Sequence, residues 1–311
     1  MIARSVHAID VIERKSPLKA VILCGGLGTR LREETEFRPK PMVEIGGRPI
    51  LWHIMKIYAA HGINEFVLCT GYKGEMIKEY FLNYEAINND FTITLGESNQ
   101  IEFHNAHLES EWKVTIADTG DATLTAGRLT KIRQYVAEEE SFFVTYGDGV
   151  ADVDITASLE FHRSHGKTAT VTTVQPPSRF GLLELDADGT VESFSEKASV
   201  HGWINGGYFV FGQGIFDYLI NDVMLEQEPL IDLTKDGQLA AWRHRGFWQP
   251  MDTYRESTML NEIWTKGDAP WKIWGPEAEP PTFAGAGAAE RPVATGDKSG
   301  LPGGKPEADP T

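Results

Sequence analysis

A continuous apolar run that ends in glycines, KAVILCGG at residues 19–26, constrains the fold of this chain more than any other segment. β-Branched and aliphatic side chains at consecutive positions are typical of a strand buried on both faces of a parallel sheet. The segments that follow alternate between helical spacing, as in residues 49–62, and short apolar runs, as in residues 64–72. This alternation predicts an open, doubly wound, mostly parallel α/β sheet with helices on both faces.

The same alternation continues to about residue 176. It predicts further helices over residues 74–81 and 155–166, and strands over 91–96, 141–152 and 167–176. The alternation of strands and helices stops at residues 180–212. Their pattern predicts a hairpin around Asp188 and Gly189, followed by a third strand with its own pair of glycines. We interpret this segment as an antiparallel lobe added to the sheet.

Three segments divide the chain. Residues 1–17 precede the first predicted strand and form an N-terminal extension, whereas residues 18–274 carry the α/β pattern of one domain. Residues 275–311 contain seven Gly and seven Pro among 37 residues, with Phe283 as their only aromatic residue. Such a segment cannot bury enough apolar surface to offset the entropy of ordering its backbone, so we predict a disordered tail.

Composition argues against several classes of protein. A net charge of −16 and a pI near 5.0 disfavour a nucleic-acid-binding protein, whose affinity would come largely from Lys and Arg. No stretch approaches 18 consecutive apolar residues, and Asp10 and Glu13 interrupt the segment where a secretory signal needs an apolar core. Cys24 and Cys69 lie in or beside apolar runs, which favours buried, reduced thiols. We therefore expect a cytoplasmic protein without nucleic-acid or membrane partners.

The glycine-rich segment LCGGLGTRL, residues 23–31, follows the first predicted strand directly. Gly26 and Gly28 would begin a dinucleotide-binding fingerprint, but Leu31 stands where its third glycine belongs, and the chain contains no G-x-x-x-x-G-K-[ST] motif. What the pattern does predict is a turn with exposed backbone N–H groups at the carboxyl end of a strand, with Arg30 beside it. A polyphosphate is the ligand that such a turn favours.

Lys40 lies between Pro39 and Pro41, 12 residues after the glycine loop. Because a residue before proline is disfavoured in the helical region, we expect Lys40 to be extended and to present its ammonium group from a stiff, non-helical segment. Alternatively, RPKP is an ordinary surface loop. Its position close behind the glycine loop favours anion binding.

These two segments carry a resemblance to a known family. GGLGTRL followed by RPKPMVEIGGRPIL resembles the signature of sugar-1-phosphate nucleotidylyltransferases, in which the loop wraps a nucleoside triphosphate and the lysine contacts phosphate. The motifs YGDGVADVDI, RFGLLELD, NGGYFVF, EQEPL and GFWQPMDT resemble the branch that uses CTP and glucose 1-phosphate, from about Lys19 to Trp274. The resemblance implies a Rossmann-like nucleotidyltransferase domain over residues 18–274 and a homo-oligomer.

The resemblance also implies site residues. Arg30 and Lys40 would be catalytic, and Asp148 and Asp252 would hold Mg²⁺. The nucleotide would be bound by Leu23, Gly25, Gly26, Leu27, Gly28, Thr29, Arg30, Thr119 and Arg128. The sugar phosphate would be bound by Glu196, Lys197, Asn205, Gly206 and Gly207. Two positions depart from the family pattern, since Ala198 replaces the usual proline after the lysine and Arg38 stands where many relatives have lysine.

The two candidate metal ligands differ in how far the residues themselves support them. Asp148 follows a buried run in a glycine-flanked turn, where a carboxylate can face a ligand, and Mg²⁺ commonly uses one or two carboxylates plus substrate phosphates. Asp252 is assigned only through the resemblance, because an aspartate after Pro-Met is more often a turn or capping residue.

We expect the reaction to be in-line attack of a sugar phosphate oxygen on the α-phosphorus of the nucleoside triphosphate, with release of pyrophosphate. Nothing in the glycine loop distinguishes CTP from UTP or dTTP, so the base stays open at this point. A non-catalytic nucleotide-sugar sensor on the same fold is an alternative. A dinucleotide-dependent oxidoreductase is disfavoured by Leu31.

Overall fold

The computed structural model describes residues 18–26, 28–96, 100–104, 109–176, 182–195 and 202–275. Its strands are β1 (Lys19–Leu23), β2 (Glu44–Ile45), β3 (Arg48–Pro49), β4 (Glu65–Thr70), β5 (Phe91–Thr94), β6 (Gln100–Phe103), β7 (Lys113–Asp118), β8 (Ser141–Tyr146), β9 (Gly149–Ala151), β10 (Ala169–Val174), β11 (Leu182–Leu185), β12 (Val191–Ser195), β13 (Ile204–Gly212), β14 (Leu239–Arg243) and β15 (Trp248–Pro250). Its α-helices are α1 (Arg32–Thr35), α2 (Ile50–Ala60), α3 (Gly74–Leu82), α4 (Tyr84–Asn88), α5 (Thr125–Lys131), α6 (Arg133–Val136), α7 (Ile155–His165), α8 (Glu228–Lys235) and α9 (Tyr254–Thr265). The predicted N-terminal extension, and the predicted tail from residue 276 onward, lie outside the described residues.

A seven-stranded sheet forms the centre of the domain, in the order β14-β10-β13-β8-β1-β4-β7. β1 pairs in parallel with β4 and β8, β4 with β7, and β10 with β14. β13 is antiparallel to both of its neighbours, β8 and β10. The prediction of an open, mostly parallel α/β sheet is therefore confirmed.

Both faces of this sheet are covered. Alternate side chains of β1 enter two different cores, with Ala20 and Ile22 in one and Val21 and Leu23 in the other. Helices α2, α7 and α9 contribute buried residues to the first core, and α5, α6 and α8 contribute to the second. Burial on both sides explains why the first strand reads as a continuous apolar run.

The added strands differ in detail from the prediction. The hairpin around Asp188 and Gly189 forms as β11 and β12, but the third strand, β13, lies inside the central sheet instead of in the lobe. Six consecutive residues of β13 are buried, so the strand needs neighbours and cover on both faces. The predicted strand at residues 91–96 forms over Phe91–Thr94 as β5 and pairs with β6 in a separate hairpin, so all the residues of both strands are exposed.

Both cysteines and the side chain of His53 are buried. Cys24 and Cys69 are free and buried, as predicted, and burial raises the pKa of the Cys69 thiol to about 12. His53 packs among Trp264, Trp271 and other aromatic rings, and burial lowers the pKa of its imidazole to about 3. Among the described residues, no helix combines the length and apolar character that crossing a membrane requires.

Candidate functional site

The carboxyl ends of β1 and β8, with the segment after β7, surround a cavity of about 640 Å³, called the first cavity here. Six residues of its wall were predicted to bind the nucleotide: Leu23, Gly25, Gly26, Gly28, Arg30 and Arg128. Lys40 and Asp148 also line it. Leu27 lies outside the described residues, as does the side chain of Thr29.

Lys40 lies between the two candidate metal ligands. Its Nζ is 2.7 Å from Oδ2 of Asp148 and 2.6 Å from Oδ1 of Asp252. Burial by itself would lower the pKa of Lys40, but the two carboxylates outweigh burial and raise the pKa above its ordinary value. Lys40 is therefore positively charged at neutral pH and is paired with both carboxylates.

Arg30 completes this charge cluster from the outside. Its Nη1 is 2.8 Å from Oδ2 of Asp252, and its side chain is 72% exposed. Two cationic and two anionic side chains thus balance one another at the mouth of the first cavity. We call Arg30, Lys40, Asp148 and Asp252 the charge cluster.

The predicted extended conformation of Lys40 is wrong. Pro39 is extended, with φ −67° and ψ 149°, but Lys40 begins a 3₁₀ turn over Lys40–Met42. The Met42 N–H donates to the Pro39 carbonyl at 2.8 Å, and the Val43 N–H donates to the Lys40 carbonyl at 3.1 Å. Because Pro41 is the second residue of this turn, its missing N–H leaves no hydrogen bond unmade.

A small antiparallel pair brings the distant aspartates to one place. β9 follows Asp148, β15 precedes Asp252, and Gly149 pairs with Pro250. The Met251 N–H donates to the Asp148 carbonyl at 2.8 Å. Thr253 then caps α9, and the Glu256 carboxylate accepts from the Asp252 N–H at 2.8 Å. Asp252 is therefore fixed by the start of a helix.

The buried guanidinium of Arg128 joins the ends of three strands. Nη1 donates to the Thr70 carbonyl at 2.9 Å and to Thr119 Oγ1 at 2.5 Å, and Nη2 donates to the Gly25 carbonyl at 2.9 Å. A Cβ on Gly25 would lie 2.0 Å from Arg128 Cζ, so the glycine makes room for the guanidinium. Thr119 lies beneath this group and is not part of the cavity wall.

A second cavity of about 180 Å³ adjoins the charge cluster and is called the second cavity. It is lined by the predicted sugar-phosphate residues Asn205, Gly206 and Gly207, together with Asp252. Trp248 also lines it, and its Nε1 donates to the Gly206 carbonyl at 2.7 Å. The predicted residues Glu196 and Lys197, with Ala198, lie outside the described residues.

Sequence reasoning assigned no role to Tyr146 or Glu226. Tyr146 lines both cavities, and its hydroxyl donates to the Glu226 carboxylate. Both residues belong to motifs that carry the family resemblance: Tyr146 begins YGDGVADVDI, and Glu226 begins EQEPL. The signal available for Tyr146 was its position at the end of a buried strand, directly before the Gly-Asp turn.

The two carboxylates of the charge cluster are suitable ligands for a divalent cation. Asp148 and Asp252 supply hard carboxylate oxygens, which Mg²⁺ prefers, and they already share one cationic partner. Within the part of the chain that the structure describes, no group of three or more His, Cys, Asp or Glu side chains could hold a metal. Two carboxylates suit an ion whose other ligands are water and substrate phosphates.

The sheet and the cationic groups at the carboxyl ends of its strands define a phosphate-handling α/β protein. The chain belongs to the nucleotidyl transferase family, whose sequence model it matches over residues 19–244. It is 54% identical over 259 residues to the glucose-1-phosphate cytidylyltransferase of Salmonella typhi, a match that covers 83% of this chain and 100% of that protein. It is 48% identical over 259 residues to the probable glucose-1-phosphate cytidylyltransferase of Bacillus subtilis, again covering 83% and 100%. The predicted resemblance is confirmed.

Solved structures agree on the fold. HddC from Yersinia pseudotuberculosis, complexed with GMP-PN, matches with a TM-score of 0.59 at 23% identity, covering 79% of this chain and 99% of that chain. A putative glucose-1-phosphate thymidylyltransferase from Bacillus anthracis matches with a TM-score of 0.58 at 17% identity, covering 84% and 98%. At these identities the likeness supports the fold alone.

Proposed function

We propose that this protein is a glucose-1-phosphate cytidylyltransferase, which converts CTP and α-D-glucose 1-phosphate to CDP-glucose and pyrophosphate. The charge cluster between the two cavities carries the proposal, because it places two cations and two carboxylates where a triphosphate and a sugar phosphate would meet. The choice of CTP and glucose is supported by the relatives that are 54% and 48% identical. Its product would supply deoxysugar and O-antigen-type polysaccharide biosynthesis.

The reaction needs no protein nucleophile. An oxygen of the sugar phosphate forms a bond to the α-phosphorus of CTP, and the bond from that phosphorus to the oxygen bridging to the β-phosphorus breaks. The protein's task is to orient the two substrates and neutralise charge, and orientation alone can contribute about 7–11 kcal/mol. In this proposal Arg30 and Lys40 exchange their aspartate partners for phosphate oxygens.

Members of this family use a divalent metal ion, and we propose Mg²⁺ held by Asp148 and Asp252. When bound, the ion would neutralise phosphate oxygens of the triphosphate. Arg128 would keep the glycine loop in the shape that accepts the triphosphate. Asn205, Gly206 and Gly207 would contact the sugar from the second cavity, and Glu196 and Lys197 would contact its hydroxyls and phosphate.

Turnover with a panel of nucleoside triphosphates tests the proposed function. Pyrophosphate release is measured with CTP, UTP, dTTP, ATP and GTP, each with glucose 1-phosphate, and kcat/KM is expected to be highest for CTP. Higher values for dTTP or UTP would assign another base to the same reaction. CTP binding by calorimetry, combined with no pyrophosphate from any sugar phosphate, would instead favour a nucleotide-sugar sensor.

Removing Lys40 is expected to strengthen metal binding to the nucleotide-free protein. Lys40 neutralises the carboxylates that would hold the ion, so Lys40→Met should bind Mn²⁺ at least tenfold more tightly than wild type, as measured by electron paramagnetic resonance of free Mn²⁺. Lys235→Met is the control, because Lys235 is an exposed lysine on α8 that is paired with Asp232. Equal Mn²⁺ affinity of wild type and Lys40→Met would contradict competition between Lys40 and the metal.

We also propose that the protein is a homo-oligomer. One face of the β5-β6 hairpin carries four partly exposed apolar side chains in two cross-strand pairs, Phe91 with Phe103 and Ile93 with Ile101. A lone two-stranded hairpin is marginally stable in water, so this face favours a partner.

Light scattering tests the proposed homo-oligomer. It should give a molecular mass greater than that of one chain, and the double variant Ile93→Lys with Ile101→Lys should have a lower mass than wild type. Thr92→Lys, on the opposite face, should leave the mass unchanged.

We place this activity in the cytoplasm, where CTP is available. The two buried free thiols are consistent with a reducing compartment.

A further inference from the structure

Tyr146 stands between the two cavities. It is the last residue of β8, and its side chain lines both the first and the second cavity. The ring packs over Gly207, where an added Cβ would lie 2.7 Å from Tyr146 Cδ2. The ring also makes an edge-to-face contact with Phe209, at 6.0 Å between ring centroids and 89° between planes. At its other end, the Tyr146 hydroxyl is a hydrogen-bond partner of the Asn205 side chain, which lines the second cavity.

Glu226 holds the hydroxyl end of this ring. The Tyr146 hydroxyl donates to the Glu226 carboxylate, although the two residues lie 80 positions apart in sequence. Glu226 is exposed and lines the wall of the first cavity, so core packing does not hold its side chain in place.

The segment that carries Glu226 is fixed to the start of α5. Asp222 Oδ1 accepts from the Leu124 N–H at 2.8 Å, and the Leu225 N–H donates to Thr125 Oγ1 at 2.7 Å. Residues 121–125 line the first cavity, so these hydrogen bonds connect the wall of the first cavity to the segment that carries Glu226. Through Tyr146, Glu226 is connected to the second cavity as well.

We propose that Glu226 is a positioning residue that holds the Tyr146 ring as the partition between the two cavities and thereby aligns the sugar phosphate with the nucleotide. The inference rests on the proposed function, since it assigns the sugar phosphate to the second cavity. Tyr146 forms the wall that the sugar meets, and Glu226 acts through Tyr146. In this proposal neither Tyr146 nor Glu226 donates or accepts a proton in the reaction.

Four variants test this assignment. Glu226→Ala and Tyr146→Phe each remove the hydrogen bond, and Glu226→Gln keeps an oxygen acceptor without the charge. Glu228→Ala is the control, because it removes an exposed carboxylate of the same segment that lines neither cavity. The KM for glucose 1-phosphate is expected to rise about tenfold in Glu226→Ala and Tyr146→Phe, with the KM for CTP within threefold of wild type. Glu226→Gln and Glu228→Ala should stay within threefold for both substrates.

The double variant Glu226→Ala with Tyr146→Phe should be no worse than Tyr146→Phe alone, because Tyr146→Phe already removes the hydrogen bond to Glu226. Multiplied effects, equal losses for CTP and glucose 1-phosphate, or an unchanged KM for glucose 1-phosphate would each overturn the assignment. Calorimetry adds a readout without turnover: Glu226→Ala should weaken CDP-glucose binding about tenfold and leave CTP binding unchanged. Absence of wild-type turnover would refute the proposed function, whereas the CDP-glucose result decides the role of Glu226 separately.

Discussion

Replacing Lys40 with alanine is expected to lower CTP-dependent pyrophosphate release by about 10²–10³-fold, the usual cost of losing one preorganised group that meets developing charge. The variant loses a buried cation that contacts Asp148 and Asp252, the two candidate metal ligands. In the proposed mechanism Lys40 exchanges these carboxylates for phosphate oxygens, so the variant lacks one of the cations that neutralise the triphosphate. Initial rates at saturating CTP, glucose 1-phosphate and Mg²⁺ measure the effect.

Lys235→Ala is the matched control for Lys40→Ala. It removes one lysine from an exposed pair on α8 that lines neither cavity, and it should keep its rate within twofold of wild type. Circular dichroism establishes that both variants are folded. Activity of Lys40→Ala within a few-fold of wild type would show that Lys40 is not part of the catalytic site.

Replacing Arg128 with methionine is expected to cost stability as well as nucleotide binding. Arg128 is 3% exposed, and its guanidinium donates to the carbonyls of Gly25 and Thr70 and to the Thr119 hydroxyl. Each buried acceptor left without its donor costs about 1–3 kcal/mol, so the free energy of unfolding should fall by about 3 kcal/mol or more. Urea unfolding measures this loss, and calorimetry measures CTP binding.

Variants of two glycines in the same loop distinguish a structural role of Arg128 from a direct contact with phosphate. Gly25→Ala places a Cβ into the guanidinium and should lower the free energy of unfolding by about 1–3 kcal/mol. Gly26→Ala has no atom within 4 Å of the added Cβ and should stay within about 0.5 kcal/mol of wild type. If Arg128→Met and Gly25→Ala unfold like wild type but lose CTP binding, Arg128 contacts phosphate without supporting the loop.

The order and type of the central elements followed from local patterns. Consecutive apolar residues predicted β1, because that strand is covered on both faces. Apolar residues at helical spacing predicted α2 and α7, because each helix packs against the core. β13 was placed in the lobe because a strand's length and composition do not specify which neighbours it pairs with. Burial of six consecutive residues, visible only in the folded chain, puts it between β8 and β10.

Candidate residues were easier to predict than their partners. The glycine loop, Lys40 and Asp148 were identifiable from residue type and spacing, whereas Asp252 needed the resemblance. The Tyr146–Glu226 hydrogen bond had no local signal at all, because its two residues come from separate strands and loops.

By itself, the sequence determined a doubly wound sheet, a glycine-rich loop at the end of its first strand and the family to which the chain belongs. Only the tertiary structure decided that Lys40 bridges two aspartates, one of them 212 residues away, and that Arg128 ties three strand ends together. The physical reason is that burial repeats along the chain with the period of each helix or strand. Ion pairs and hydrogen bonds instead depend on which loops converge at the edge of the folded sheet.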